Sequence, residues 1–265
     1  MMRNLGLTLA GGGNRSFYQQ GLLLAWGERL WQHVAAVSCV SAGSAICVLT
    51  LSGRASEART HWDGLRRGIT KNLDWRRVLR GERIAPHGAI YRSTLVHALE
   101  DGGLERVQSS PFPIWILCSV PPRPLPIGAA TWLGLGAYSV EKKLDPNLLH
   151  PRVGKRLGFR EFVYDARACQ TPSDLADLVL ASSSTPPFTP VGAFRGRVLL
   201  DGGIVDNVPA DVTERDPAVR GNLVLLTRPY PAGVTGEHGA RLYLEPSTEV
   251  PISRWDYREQ AAVEA

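Results

Sequence analysis

Hydrophobic positions along the chain fall into short runs that alternate between strand-like and helical spacing. LGLTLA is a continuous apolar run stopped by Gly11, Gly12 and Gly13, which predicts a buried strand ending in a turn. RSFYQQGLLLAWGERL follows with helical character, AAVSCV is a second strand, and AGSAICVLTLSG a second helix closed by Gly53. That order predicts a parallel sheet with crossover helices, an α/β fold. Residues 57–104 read as mostly helical, polar and basic. PIWILCSV, bounded by prolines, predicts a third buried strand. After the linker-like PPRPLP comes IGAATWLGLGAYSV, which is apolar, glycine-rich and uncharged. SDLADLVLASSS reads as a helix with Ser173 as N-cap and Asp174 in its first turn, stopped at TPPFTP. GRVLLDGG is a strand running into a turn, NLVLLTRPY and ARLYLEP complete the expected strands, and the C-terminal WDYREQAAVEA is expected to be helical.

Three of these junctions carry candidate chemistry. VSCVSAGSAIC places Ser41 between small residues where a strand turns into a helix. Such a turn lifts a hydroxyl out of the sheet and sets it at a helix N-terminus, beside backbone N–H groups that can receive a developing oxyanion. Against G-x-S-x-G, Gly43 matches and Cys39 replaces the first glycine. GGGNRS presents glycine amides with no side-chain cover, able to donate to an anion. It does not complete the dinucleotide pattern G-x-G-x-x-G, because Ser16 occupies the last position, and no acidic residue ends the next strand; the absence of G-K-[ST] separately excludes a P-loop. VLLDGGIVDNVPA sets Asp201 at a strand end, where open α/β sheets assemble sites and where a carboxylate can act as general base. Each has a plain structural alternative: a small-residue packing turn, a glycine-rich turn and an Asp-Gly β-turn.

Taken together, the blocks resemble the patatin-like phospholipases, serine acyl hydrolases with a Ser–Asp dyad and no histidine. GGGNRS is similar to their GGGxRG loop, CVSAG to their nucleophile elbow, ASSSTPPFTPV to their small-residue and proline block, and Asp201-Gly202-Gly203 to their D-G-[GA] motif, trailed by Asn207 and Pro209. The blocks stand in family order over residues 7 to 210. The resemblance implies a three-layer α/β/α sandwich with a mostly parallel central sheet, no cofactor, and lipid acyl esters as substrates. It implies Ser41 as nucleophile, Asp201 as general base, Gly11, Gly12 and Gly13 around the oxyanion, and Arg15, Gly43, Gly202 and Gly203 in support. An alternative from another class is a catalytically silent lipid-binding or scaffold relative of the same fold. His238 is the one histidine placed late enough for a Ser–acid–His order, and Asp206 reads as a loop carboxylate bonded to backbone.

Composition narrows the remaining choices. The 265 residues are long enough for one domain over residues 1–265, with 44% hydrophobic and 21% charged residues, an ordinary globular balance. The four cysteines show no CxxC and no histidine at zinc spacing, which argues against a metal site and fits buried, reduced thiols and a cytoplasmic setting. MMRNLGLTLAGGG breaks into glycine too soon for a signal peptide, and the weakly apolar stretch Val34 to Gly53 is too interrupted by serine and glycine to span a bilayer. Net charge is +5, but Arg66 to Arg92 alone carries eight cations against Asp74 and Glu82. With Trp62 and Trp75 interleaved, this stretch is expected either to contact anionic membrane surfaces peripherally or to be a solvated helical face. No nucleic-acid motif accompanies it. IGAATWLGLGAYSV is expected to be an apolar wall or cover for a lipid cleft, or else ordinary core.

Overall fold

Each expected strand forms where its apolar run lies. In a computed structural model, which describes residues 3–145, 147–151 and 153–260, the chain runs through β1 (Leu5–Leu9), α1 (Phe17–Trp26), α2 (Glu28–Trp31), β2 (Val34–Val40), α3 (Ala42–Leu51), α4 (Ala55–Arg66), α5 (Trp75–Val78), α6 (His87–Leu99), α7 (Gly103–Gln108) and β3 (Ile114–Val120). It continues through α8 (Ile127–Leu144), α9 (Val153–Arg156), β4 (Arg160–Asp165), α10 (Pro172–Ser182), β5 (Gly192–Phe194), β6 (Arg197–Asp201), α11 (Ala210–Thr213), β7 (Gly221–Leu225), β8 (Gly236–His238) and β9 (Arg241–Leu244).

The five strands β3-β2-β1-β7-β9 are parallel and form the centre of the sheet, and antiparallel strands extend it at both ends. Helices cover both faces, the α/β/α arrangement expected. Alternation along the central strands separates the two faces by chemistry. Leu7, Leu9, Val37, Cys39, Ile114, Ile116 and Cys118 point to one side, where they meet Leu23 of α1, Leu95 and Leu99 of α6, and Leu175 and Leu178 of α10. The intervening residues Thr8 and Ser38 are equally buried but polar. Thr213 of α11 bridges them, its hydroxyl 2.7 Å from that of Thr8, while Ser38 donates to the Pro209 carbonyl at 2.7 Å and Thr8 to Asn222 at 3.1 Å. Further along, the same face turns apolar again, with Val40, Leu117 and Leu200 packed under Ala130 of α8, Phe159 and Ile204.

Register along β3 determines where the chemistry falls. β4 pairs antiparallel with Trp115 to Val120, and β2 pairs with Ile114 to Leu117 on the opposite edge. β6 then pairs antiparallel at Cys118 and Ser119. Since β4 already occupies its own edge there, β6 continues the edge that β2 has vacated. The two strands run head-on toward each other, Val40 opposite Leu117 and Asp201 opposite Cys118.

Several expectations need correction. β4, β5 and β8 were not expected: β4 is half-exposed with mixed polar and apolar positions, and the other two are three residues long. The N-cap of α10 is Thr171, whose hydroxyl accepts from Asp174 N–H at 3.0 Å with Pro172 as first helical residue, and not Ser173. Residues 255–260 are turn and extended chain rather than helix, because their polar groups bond outward. Trp255 carbonyl accepts from His87, Asp256 carbonyl from Asn14 and Tyr257 carbonyl from Arg66. Ala261 to Ala265 lie outside the described residues. Among the described residues no helix is long and apolar enough to cross a membrane.

Thr213→Val retains shape but removes the hydroxyl shared by Thr8 and Ser38. It should lower unfolding free energy by about 1–2 kcal/mol, read from urea denaturation. Unchanged stability would show that the buried polar ladder contributes nothing.

Candidate active site

Where β2 and β6 would collide, both chains leave the sheet. Ser41 takes φ +53° and ψ −132°, a conformation that non-glycine residues adopt only under constraint, at a cost of about 1–3 kcal/mol. Local bonds hold it there. Ser41 N–H donates to Ser182 Oγ at 2.8 Å, Ser182 Oγ donates onward to Leu117 carbonyl at 2.6 Å, and Ser44 N–H donates to Ser41 carbonyl at 3.0 Å. The helix that follows starts so close to β1 that a Cβ on Gly43 would lie 2.7 Å from the Ala10 carbonyl oxygen, and one on Gly202 would lie 2.2 Å from that of Leu117. Small residues at the elbow are therefore a packing requirement.

The same geometry delivers Asp201. Ser41 Oγ donates to Asp201 Oδ2 at 2.7 Å, and Gly203 N–H donates to Oδ1 at 2.7 Å. Ser184 carbonyl accepts from Asp201 N–H at 3.2 Å, and Ser119 Oγ donates to Asp201 carbonyl at 2.9 Å. Burial drives the carboxyl pKa up to about 6, against the opposing pull of Ser41, Gly203 and the positive charge of Arg254. A buried carboxylate with raised proton affinity, bonded to a serine hydroxyl at a helix N-terminus, can accept that hydroxyl's proton.

Opposite Ser41 lies the glycine loop. Gly11 is engaged on both sides: its N–H donates to Asn207 carbonyl at 3.1 Å, and its carbonyl accepts from Asn207 Nδ2 and Thr227 Oγ1, each at 3.1 Å. Its amide thus has an acceptor in this structure, and the bond to Asn207 holds the loop. Gly12 and Gly13 N–H groups have no acceptor among the described residues, and both glycines line the cavity that contains Ser41 and Asp201. Gly13 has φ +59° and sits against the Arg254 backbone, so no side chain fits there. Ser16, where the family pattern has glycine, has ordinary right-handed φ −67° and ψ −12°, and Cys39 lies inside β2, fully buried. Ser16 Oγ is buried with no hydrogen-bond partner among the described residues.

Two cavities meet at Ser41. One, about 790 Å³ including its mouth, runs between α1, α3, α4 and α6 and is lined by Phe17, Ala45, Ile46, Leu49, Trp62 and Tyr91, among others. The other, about 820 Å³, contains the glycine loop and Asp201 and is walled by Leu135, Tyr138 and Ser139 of α8 and by Phe188. The stretch IGAATWLGLGAYSV is therefore a cavity wall on one side, while Trp132, Val140 and Leu144 face outward. Arg15 lies away from both cavities, 3.3 Å from Glu249. His238 is in β8, at the far edge of the sheet, donating to Thr235 carbonyl. Asp206 accepts from Val208 N–H and pairs with His150. The four cysteines are buried and unpaired, and among the described residues no cluster could hold a metal ion.

Ser182, Asn207, Arg254 and Trp255 were not singled out from sequence as site residues. The first two lay inside recognised blocks, where their spacing was the available signal. Nothing near Arg254 marked it.

The sequence profile of the family described as patatin-like phospholipase matches residues 7–213. No curated protein matches the chain significantly in sequence. Among solved structures, VipD from Legionella pneumophila is similar over 84% of this chain and 50% of its own, at 16% identity and a TM-score of 0.42. The chain thus spans about half the length of that protein.

If Asp201 is the base for Ser41, the rate of Ser41 phosphonylation by a fluorophosphonate should be level above pH 7 and fall about tenfold per unit well below pH 6, as the carboxylate takes up its proton. A rate that is level from pH 4.5 to 8 would contradict the assignment.

Proposed function

The chain belongs to the patatin-like phospholipase family, whose members are generally lipid acyl hydrolases, and on that premise we propose that it cleaves fatty-acyl esters of lipids through an acyl-enzyme on Ser41. The observation that carries this reading is the 2.7 Å hydrogen bond from the Ser41 hydroxyl to buried Asp201, where two largely apolar cavities meet, the one that contains Asp201 being the more polar.

In the proposed reaction the acyl chain lies in the cavity beside α3 and α6, and the alcohol portion lies toward α8. Ser41 Oγ attacks the ester carbon as its proton passes to Asp201 Oδ2. The carbonyl oxygen becomes negative and is received by Gly12 and Gly13 N–H groups, with the positive end of α3 beneath it. Collapse breaks the bond to the alcohol, which leaves with the proton from Asp201. Water then attacks the acyl-enzyme, gives its proton to Asp201, and the fatty acid departs as Ser41 regains its hydrogen. Gly11, Gly43, Gly202 and Gly203 support this arrangement through the backbone, and Arg15 supports the loop from outside the cavities through its ion pair with Glu249.

The lipid is reached, in this reading, by peripheral contact with an anionic membrane. Around α5, Trp75 and Leu79 are 74% and 89% exposed, with Leu73 and Val78 beside them. Of the eight cations from Arg66 to Arg92, Arg66 is buried over Trp62, Arg92 pairs with Asp177, and Arg77 and Arg80 pair with Glu82. Arg67, Lys71, Arg76 and Arg83 are exposed in the same stretch of chain. Each such charge contributes about 1 kcal/mol near an anionic surface.

Ser41→Ala and Asp201→Asn should each lower lysophospholipid hydrolysis at least about a thousandfold while circular dichroism stays native, and only Ser41→Ala should abolish the site of fluorophosphonate attachment. Near-wild-type turnover by Asp201→Asn would refute the dyad. For the membrane contact, Arg76→Glu with Arg83→Glu should weaken sedimentation with phosphatidylserine vesicles by about tenfold or more, and binding equal to wild type would rule out this contact.

A further inference from the structure

Beyond the residues matched by the family profile, the segment around Arg254 returns to the centre of the molecule. Arg254 and Trp255 line both cavities that open on Ser41. Their backbone is anchored on several sides. Arg254 carbonyl accepts from Asn14 N–H at 3.1 Å, Trp255 carbonyl accepts from His87 at 2.8 Å, and the Trp255 ring stacks on Phe188 at 4.9 Å with 5° between planes.

The charge lining these walls is one-sided. Asp201 is the single carboxylate on either wall among the described residues, and its oxygens already serve Ser41 and Gly203. Half-buried Arg254 has no carboxylate within ion-pair reach among the described residues. Its positive charge is felt at Asp201, Tyr138 and Tyr230, and Arg228, stacked on Tyr230 at 3.9 Å, adds a second cation felt at Tyr138. Burial pushes the Tyr138 phenol up to about 12, so it keeps its proton at neutral pH. The wall on the α8 side of Ser41 is thus rich in donors and positive charge. A neutral alcohol offers such a wall little, whereas a phosphate brings both charge and several acceptor oxygens.

We propose that Arg254, with Tyr138 beside it, forms a phosphate subsite on the leaving-group side of Ser41 and is the residue that makes this chain prefer phosphate-bearing acyl lipids over neutral glycerides. The proposal rests on the hydrolase reading for its orientation of the substrate. A competing explanation is that Arg254 only keeps Asp201 ionised, in which case its loss alters reactivity toward every ester alike.

Binding to protein carrying Ser41→Ala separates these explanations without requiring turnover. The probes are 1-O-octylglycerol 3-phosphate, 1-O-octylglycerol and inorganic phosphate, titrated by calorimetry below their aggregation limits. The phosphate-bearing ether should bind at least about tenfold more tightly than octylglycerol. Adding Arg254→Gln should erase that preference, with octylglycerol affinity moving less than about twofold, and Arg254→Lys should restore part of it. Equal affinity for the two ethers, or a preference that survives Arg254→Gln, overturns the proposal. Inorganic phosphate binding as tightly as the phosphate-bearing ether would assign the site to a free anion instead, and also overturns it. If Arg254→Gln on the Ser41 protein shifts the pH profile of phosphonylation while ligand preference stays, the residue belongs to Asp201 tuning alone. Absence of ester hydrolysis by the unaltered protein would sink the hydrolase reading and leave these binding results standing.

Discussion

The arrangement depends on one constraint: an edge of a β-strand offers each residue a single partner. β2 and β6 approach each other along the same edge of β3, at adjacent partners Leu117 and Cys118, so neither can continue. Both must turn out of the sheet at one point, and the residues that turn are Ser41 and Asp201. Two side chains 160 positions apart in sequence thereby come within 2.7 Å. The positive φ of Ser41 is a consequence of this crowding, and the hydrogen bonds that Ser41 donates to Ser182 Oγ and accepts from Ser44 N–H offset part of its cost.

Holding the site together requires segments from distant parts of the chain. The serine block at the end of α10 braces both partners, through Ser182 at the Ser41 amide and Ser184 at the Asp201 amide. Asn207, just beyond the Asp-Gly-Gly turn, pins Gly11 and with it the glycine loop. The C-terminal segment closes the other side through Asn14 and His87. Burial of Asp201 is a by-product of this enclosure, and it outweighs the three favourable interactions on the carboxylate, which is why its proton affinity rises rather than falls. Enclosure and chemical poise share one physical origin.

Much of this was legible in the amino-acid pattern, and the limits are instructive. Runs such as LGLTLA, AAVSCV and PIWILCSV are buried on both faces, so their continuous apolar character marks them plainly. Glycines at 43 and 202 reported close backbone approach, and their motifs located Ser41 and Asp201. Strand β4 escaped notice because its half-exposed REFVYD pairs with β3 without needing a clean alternation. Helical content expected for WDYREQ failed because tertiary hydrogen bonds outcompete local ones there. The hydrogen bond from the Gly11 amide to Asn207, and the return of Arg254 to the cavity, are long-range facts with no local signature.

The most direct test is a crystal structure of the protein after reaction with a long-chain alkyl fluorophosphonate. The account predicts phosphorus bonded to Ser41 Oγ, the phosphonyl oxygen within about 3 Å of Gly12 and Gly13 N–H groups, Asp201 still facing the bonded oxygen, and the alkyl chain in the cavity lined by Phe17, Ile46 and Tyr91. An adduct on another residue, or one on Ser41 whose phosphonyl oxygen points away from the glycine loop, would contradict it.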